Sequence, residues 1–368
     1  MTVGFFSPLP PARTGVADYS AALLAALRAL AEVRVDAADA DVCLYHLGNN
    51  PLHASIYLRA LATPGVAVLH DAVLHHLFLG CLDRQAYLDE FVYNYGERCR
   101  AEAETLWAAR GGSAGDARYF KRALVRRVAE ASRAVVVHNP AAARIVREHA
   151  PAARVVEIPH LFAPPGPLPA EEVREWRARR GISEDTFLFG VFGHLRESKR
   201  LPGILRAFER VRKVGAGARA ALLIAGDFVS SELEAALGPW LAGAGVLRAP
   251  FCPEREFWKQ AAAVDASISL RDPSAGETSG VAIRLMGLGK PVLVSAGEEV
   301  ARIPEESAIR IDRGLAEEPM LVEYMMWLVE HSEKARQIGA RAAAHIAAAH
   351  SPELAARLYF ELLSSCCR

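Results

Sequence analysis

Length, composition and charge set the first bounds on this chain. Its 368 residues suit two ordinary domains, and a hydrophobic content of 52% supports a large core and argues against disorder. The 43 Lys and Arg residues balance 43 Asp and Glu residues, so no overall field would steer the protein to nucleic acid or to a membrane. The six cysteines are scattered without metal-ligand spacing, which favours a reducing, cytoplasmic setting.

Short apolar runs alternate with longer helical patterns, which is typical of βαβ units and parallel sheets. The predicted fold class is therefore α/β, with two Rossmann-like domains facing each other across a cleft. The N-terminus lacks the features of a signal peptide, and no apolar run approaches the ~20 residues of a membrane span. Strands are predicted at Val3–Phe6, Val42–His46, Val66–His70, Ala134–His138, Val155–Ile158, Leu188–Phe192, Ala220–Ala225, Val264–Leu270 and Pro291–Val294.

The proline-rich stretch Pro159–Pro169 indicates the domain boundary, because proline stiffens a linker and interrupts helices and strands. We expect a first domain at 1–160, with a helical excursion at about 84–133, and a linker region at 161–180. A second domain at 181–350 would precede a helix at 351–368 that packs back on the first domain.

The stretch Leu270–Val294 places a Gly-rich polar turn between a predicted strand and a predicted helix. Gly276 and Gly280 would let the backbone approach an anion at the helix start, while Thr278 and Ser279 add hydroxyl groups. A simple helix cap at Thr278 or Ser279 would explain the same composition.

Polar residues also follow other predicted strands, where parallel sheets bind ligands. In the first loop, Ser7–Ser20, Gly15 would permit close backbone approach, although ordinary turn chemistry explains this loop equally well. His70 and Asp71 follow the third predicted strand, and such a pair more often hydrogen-bonds substrate hydroxyls or backbone than binds a metal.

Four cationic or titratable residues, His194, Arg196, Lys199 and Arg200, precede an apolar helix. Cations at a helix start oppose its positive end, and a bound anion would remove that conflict. The alternative is a solvated charged surface. The chain has neither a P-loop nor a G-x-G-x-x-G motif after the first strand, which argues against ordinary nucleotide sites.

Together, these segments resemble the retaining, nucleotide-sugar-dependent glycosyltransferases of family four, which have the GT-B architecture. The resemblance covers nearly the whole chain and implies a nucleotide-sugar donor, no cofactor and no metal. Its four motifs are SPLPPARTGVADYS, LHDAVLHHL, VFGHLRESKRLPGILRAF and SLRDPSAGETSGVAIRLMGLGKPVLVS.

The resemblance also implies residue roles. His70 would contact the transferred sugar, Lys199 would neutralise the diphosphate with help from Arg200, and Glu277 would contact sugar hydroxyls. Gly15 and the amides of Thr278, Ser279 and Gly280 would meet the phosphates, and Phe251 would lie at the base. Asp18, Tyr19 and Asp71 are candidates for acceptor or sugar contacts.

Two positions depart from the family pattern: Arg284 stands where a second Glu normally holds the ribose, and His194 replaces an Arg. The lost Glu keeps a non-catalytic partner protein as an alternative, and a sugar-nucleotide epimerase or a phosphorylase is another because these enzymes share a similar two-domain architecture. The acceptor would be a glycan, a lipid-linked sugar or a small molecule in polysaccharide, glycolipid or secondary-metabolite assembly. Arg118–Arg133 is predicted to be one basic helix, either a solvated surface or a peripheral contact with the inner face of the membrane.

Overall fold

A computed structural model describes residues 1–367, and twelve strands in this range form two parallel sheets. The strands of the first sheet are β1 (Thr2–Phe6), β2 (Glu32–Val35), β3 (Val42–Leu47), β4 (Val66–Leu69), β5 (Ala134–Val137) and β6 (Val155–Glu157). Those of the second are β7 (Phe187–Phe192), β8 (Ala220–Ala225), β9 (Val246–Ala249), β10 (Ala266–Ser269), β11 (Val292–Ser295) and β12 (Ile309–Ile311).

The strand orders show where ligands can bind. The first sheet has the order β2-β1-β3-β4-β5-β6, and the second has the order β12-β11-β10-β7-β8-β9. In each sheet the chain adds strands first on one side of its starting strand and then on the other. This reversal of strand order lies between β1 and β3 in the first sheet and between β7 and β10 in the second. Doubly wound sheets bind ligands in the crevice beyond the strand carboxyl ends at such a reversal.

Helices cover both sheets, and each sheet has a buried apolar cluster on either face. The helices of the first domain are α1 (Gly15–Leu27), α2 (Ala54–Ala62), α3 (His75–Cys81), α4 (Arg84–Tyr95), α5 (Arg100–Ala108), α6 (Ala117–Phe120), α7 (Arg126–Ala131) and α8 (Pro140–His149). They are followed by α9 (Ala170–Ala178), α10 (Leu201–Arg212), α11 (Ser231–Leu241), α12 (Glu254–Ala263), α13 (Gly280–Gly287), α14 (Glu317–Glu330), α15 (Ser332–Ala349) and α16 (Pro352–Ser365).

Three strands, β2, β9 and β12, are absent from the sequence-based prediction. Each is an edge strand of its sheet, and each contains an arginine: Arg34, Arg248 and Arg310. Central strands such as β3, β7 and β8 are buried along their whole length and give continuous apolar runs. Edge strands lack that signal, so their sequences do not stand out.

The chain crosses between the domains twice. The first crossing contains residues 159–169, which form no helix or strand, and α9 then packs on the second domain through the buried Trp176. The second crossing leads into α16, where Tyr359 Oη lies 3.0 Å from Tyr19 Oη of α1. The crossings touch each other, because Phe162 N donates to the His350 carbonyl at 2.7 Å.

The predicted basic helix at Arg118–Arg133 is wrong. The structure has α6 and α7 with a break at 121–125, where Leu124 has a positive φ of 54° that a β-carbon disfavours in a helix. Three of its cations are also paired, since Arg122 pairs with Glu102, Arg126 with Glu130 and Arg127 with Glu90. Within residues 1–367, none of the helices has the length and apolarity required to cross a membrane.

Candidate functional site

The turn after β7 buries a lysine at the floor of the cleft. Gly193 has a φ of +90°, and the chain then folds back so that Lys199, only 3% exposed, donates to the Phe192 carbonyl at 2.5 Å. This is the one hydrogen bond of the ammonium group within the described residues, although an ammonium has three donors. Burial, with Arg271 and Arg196 nearby, holds the Lys199 pKa well below its usual range.

The turn after β10 brings two of those charges to the same place. Arg271 Nε lies 3.2 Å from Glu277 Oε1. Glu277 Oε2 accepts from Ala275 N at 2.7 Å, so its carboxylate is folded onto its own loop. Arg196 is exposed and forms no ion pair within residues 1–367. Three basic side chains therefore lie near Glu277, and because Arg271 is the one that pairs with it, Lys199 and Arg196 remain available to an anion.

The start of α13 faces this positive site. Ser279 Oγ accepts from Ala282 N at 3.2 Å, so the helix cap proposed as an alternative does exist. Capping does not use the Thr278, Ser279 and Gly280 amides, for which the described residues supply no acceptor. These N–H groups carry the partial positive charge of a helix start, which is suited to an anion.

The opposite wall of the cleft belongs to the first domain and is lined by histidines. His46, His70, His138 and His160 lie in or just after β3, β4, β5 and β6, which are neighbours in the sheet. Their rings surround Tyr19 at centroid distances of 4.8 to 5.9 Å. Burial lowers the pKa of all four imidazoles, so they are neutral near pH 7.

Asp71 lies between the two walls. Its Oδ2 accepts from Asn49 N at 2.7 Å. Burial and the neighbouring Glu277 raise the pKa of Asp71 to about 6, against smaller opposing effects of the Asn49 N–H bond, Arg196 and Arg271. The two carboxylates are thus close enough to repel each other across the cleft.

The two walls are in contact where the loop that contains Gly276 meets the segment that contains Asp71. Ala72 N donates to the Ala275 carbonyl at 2.8 Å, and Asn139 Nδ2 donates to the Gly276 carbonyl at 2.9 Å and to Thr278 Oγ1 at 3.0 Å. Gly276 has a φ of +74°, and a β-carbon there would lie 2.9 Å from the Ala72 side chain. Only glycine permits this close approach.

Two further predicted residues lie toward the outer end of the cleft. Phe251 is 45% exposed, and the Arg13 guanidinium of the first domain lies 5.1 Å from its ring centroid. Gly15 begins α1, and a β-carbon there would meet no atom within 4 Å. The protein itself therefore gives no steric reason for this glycine, and the space beside it is open.

Three of the predicted residues have partners within the protein. Arg200 Nε donates to Glu317 of α14 at 2.8 Å. The Tyr19 hydroxyl is buried against Tyr359, so it is not free to contact an acceptor. Asp18 pairs with Arg284 across the cleft at 2.9 Å.

The sequence prediction missed Arg271, Asn139 and three of the four histidines. Each lies at the end of a predicted strand or within two residues after it, in the segments SLRD, VHNP, YHL and PHL. A search for histidine at successive strand ends would have found His46, His138 and His160. Nothing in the sequence shows that Asn139 reaches the other domain, because that contact depends on how the domains are placed.

The four histidines do not form a metal centre. Among residues 1–367, no group of three or more His, Cys, Asp or Glu side chains has an arrangement that could hold a metal ion. Some of the ring nitrogens bond one another or backbone, as His138 Nδ1 does with the Ile158 carbonyl at 2.8 Å.

Comparison with known proteins gives a clear result for the fold alone. No protein-family profile matches the sequence, and no curated protein matches it significantly. Solved structures do match along nearly the whole chain. Anabaena HepE, solved with UDP and glucose, has a TM-score of 0.69 at 15% identity, covering 99% of this chain and 100% of HepE.

Two other structures agree. Sucrose-phosphate synthase from Thermosynechococcus elongatus has a TM-score of 0.62 at 16% identity, covering 99% of both chains. WaaG, a glycosyltransferase involved in lipopolysaccharide biosynthesis, has a TM-score of 0.59 at 15% identity, covering 97% of this chain and 99% of WaaG. The predicted fold class is therefore confirmed: the chain has an α/β fold of the GT-B type, with two Rossmann-like domains across a cleft.

Proposed function

We propose that this protein is a glycosyltransferase that moves a sugar from a nucleoside-diphosphate sugar to an acceptor with retention of anomeric configuration. The observation that carries the proposal is the anion site formed by Lys199, Arg271 and Arg196 at the strand reversal of the second domain. A diphosphate is the ligand that fits this surplus of charge. The UDP complex of the similar HepE fold is consistent with it.

The proposed chemistry follows from the charges that develop in the reaction. When the bond from the anomeric carbon to the diphosphate breaks, the leaving oxygen gains negative charge and the sugar gains positive charge. Lys199 and the amides of Thr278–Gly280 would stabilise the leaving group. Glu277 would bind the sugar hydroxyls. In a front-face route the departing phosphate accepts the proton of the acceptor, so the protein need not supply a nucleophile.

The remaining assignments are part of the same proposal. His70 would contact the transferred sugar from the opposite wall, Phe251 would lie at the base, and Gly15 would allow the pyrophosphate to approach the start of α1. Asp71 is a candidate contact to sugar or acceptor. No metal or cofactor is proposed, because protein cations occupy the place where a divalent ion would neutralise the diphosphate.

The acceptor is proposed to be a glycan, a lipid-linked sugar or a small molecule that meets the first domain near the excursion at 84–133. The setting would be cytoplasmic polysaccharide, glycolipid or secondary-metabolite assembly. The paired arginines of α7 give little support to a peripheral membrane contact, since their charges are already matched by Glu90 and Glu130.

A hydrolysis assay tests the proposal. Purified protein would be incubated with a panel of UDP- and GDP-sugars, and released nucleotide would be measured with and without EDTA. We expect slow hydrolysis of one donor, unaffected by chelator and abolished in Lys199→Ala. Absence of hydrolysis and of binding across the whole panel would contradict the proposal, and restoration of an EDTA-inhibited activity by one divalent ion would contradict metal independence.

One observation favours a second function, a non-catalytic partner protein of the same fold. Arg284, which replaces a ribose-binding Glu in the family pattern, bonds Asp18 and lies 5.4 Å from the Trp258 ring centroid. It therefore has structural contacts that do not involve a nucleotide. Nucleotide-sugar binding by calorimetry separates the two functions, because a degenerate partner would show none.

A further inference from the structure

His46 is the least exposed member of the histidine wall and the one in direct contact with His70. It is 0% exposed on β3, and its ring packs 4.8 Å from the Phe5 ring centroid. Its Nδ1 lies 3.0 Å from His70 Nε2. Its other nitrogen, Nε2, is buried and has no hydrogen-bond partner within the described residues.

These contacts decide where the protons lie on the two rings. Both imidazoles are neutral, so each has one N–H donor and one acceptor nitrogen. If His46 held its proton on Nε2, that donor would be buried and unpaired. If the proton is on Nδ1, it is donated to His70 Nε2, and only an acceptor nitrogen remains unpaired. Buried unpaired N–H groups are rarer than buried unpaired acceptors, so the second arrangement is favoured.

The tautomer of His70 follows. Because its Nε2 accepts from His46, its own proton must be on Nδ1. His70 lies at the end of β4 beside Asp71, and its Nδ1 has no hydrogen-bond partner within residues 1–367. The nitrogen left for a ligand is therefore a hydrogen-bond donor.

We infer that His46 is a positioning residue that holds His70 in its Nδ1–H tautomer and directs that N–H to an oxygen of the transferred sugar. The role of His70 toward sugar rests on the proposed function, whereas the tautomer does not. In this tautomer His70 cannot remove a proton from the acceptor through Nδ1. It fixes the sugar by donating one hydrogen bond and contributes no charge.

Two other features of the wall support this assignment. His138 also has a buried, unpartnered Nε2, and its ring lies 5.0 Å from that of His70, but its one hydrogen bond within the described residues is the one that its Nδ1–H donates to the Ile158 carbonyl. The contact with His46 is thus the hydrogen bond that orients His70. The His46 backbone is itself anchored, because its carbonyl accepts from His53 Nδ1 at 2.9 Å.

The direct test is ¹⁵N NMR of the histidine rings in the wild-type protein labelled with ¹⁵N-histidine. Spectra of His70→Gln and His46→Phe would assign the signals. We expect the free protein to show His70 protonated at Nδ1 and unprotonated at Nε2, with the same pattern for His46. A His70 ring protonated at Nε2 would overturn the inference, whatever the activity of the protein.

Kinetics provide a second test with UDP-glucose as the probe. His46→Phe keeps the aromatic packing against Phe5 but removes the donor, and we expect kcat for donor hydrolysis to fall about tenfold while UDP affinity stays within about twofold. His46→Asn places an amide near the position of Nδ1 and should recover most of the loss. Thermal unfolding would confirm that the variants are folded.

The matched control is His138→Phe, which removes a buried imidazole that contacts the same ring without bonding it. In ¹⁵N spectra of this variant the His70 ring should stay protonated at Nδ1, whereas His46→Phe should lose that preference. Loss of the Nδ1–H pattern in both variants would reduce His46 to a packing role and overturn the inference. If wild-type protein neither binds nor hydrolyses any nucleotide sugar but shows the expected tautomer, the proposed function fails while the tautomer assignment stands.

Discussion

The two walls of the cleft are built from the same kind of sheet but differ in electrostatics. The second domain presents the basic side chains of Lys199, Arg271 and Arg196, which follow its strand ends. The first domain presents histidines at the equivalent strand ends, and burial keeps them neutral. The difference indicates a division of labour: one wall suits a charged leaving group, and the other suits hydroxyl groups that need orientation without charge.

The largest expected effect is loss of the central cation. Lys199→Ala should lower turnover about 100-fold or more, because a buried charge facing a developing anion acts most strongly in the transition state. Steady-state hydrolysis of the donor measures this. Arg200→Ala is the matched control: its guanidinium pairs with Glu317, so it should lower thermal stability and leave turnover nearly unchanged. Activity of Lys199→Ala within about twofold of wild type would exclude a phosphate role.

The next effect concerns the carboxylate on the charged wall. Glu277→Ala should reduce turnover about ten- to a hundredfold, since a hydrogen bond to a charged group contributes about 1.5–3 kcal/mol. Affinity for UDP, measured by calorimetry, should barely change. A parallel loss of UDP affinity would mean that Glu277 serves mainly to place Arg271, with which it pairs at 3.2 Å.

Asp71, between the walls, should give a pH-dependent effect on stability. Its pKa is raised to about 6 in the folded protein, against about 3.9 unfolded, so the ionised form is disfavoured by folding. Stability from the neutral form is fully present below pH ~4 and is lost as the pH rises through 6. Asp71→Asn should therefore stabilise the protein by roughly 1–3 kcal/mol at pH 8 and by little at pH 4. Denaturant unfolding at both pH values measures this, and an equal effect at both would exclude the buried ionisation.

The smallest effect is expected where the walls are joined by an exposed ion pair. Arg284→Ala breaks the contact with Asp18, which is 43% exposed, so the cost to stability should be at most about 1 kcal/mol. If Arg284 does not bind the ribose of the nucleotide, the affinity for the nucleotide should change by less than about fivefold. Asp18→Asn is the matched variant, and a much larger loss in Arg284→Ala than in Asp18→Asn would indicate direct nucleotide contact.

The fold was predictable where burial is continuous and not where it is partial. Strands such as β3 and β7 were found because both faces are covered, whereas β12 was missed because Arg310 interrupts a short edge strand. For the site, Lys199 and Glu277 were predicted because they stand in polar turns at strand ends, and the structure places them near each other. The redirection of Arg200 to Glu317 was not predictable, since Glu317 is more than a hundred residues away in the sequence.

The two chain crossings between the domains lie side by side, tied by Phe162 N to the His350 carbonyl and by His350 Nδ1 with the His160 carbonyl at 2.5 Å. A single flexible connection would let one domain swing and twist freely relative to the other. Two connections joined to each other leave mainly one rotation, about the line that runs through both. The Lys199 wall and the His70 wall are therefore held in register by two adjacent connections instead of one.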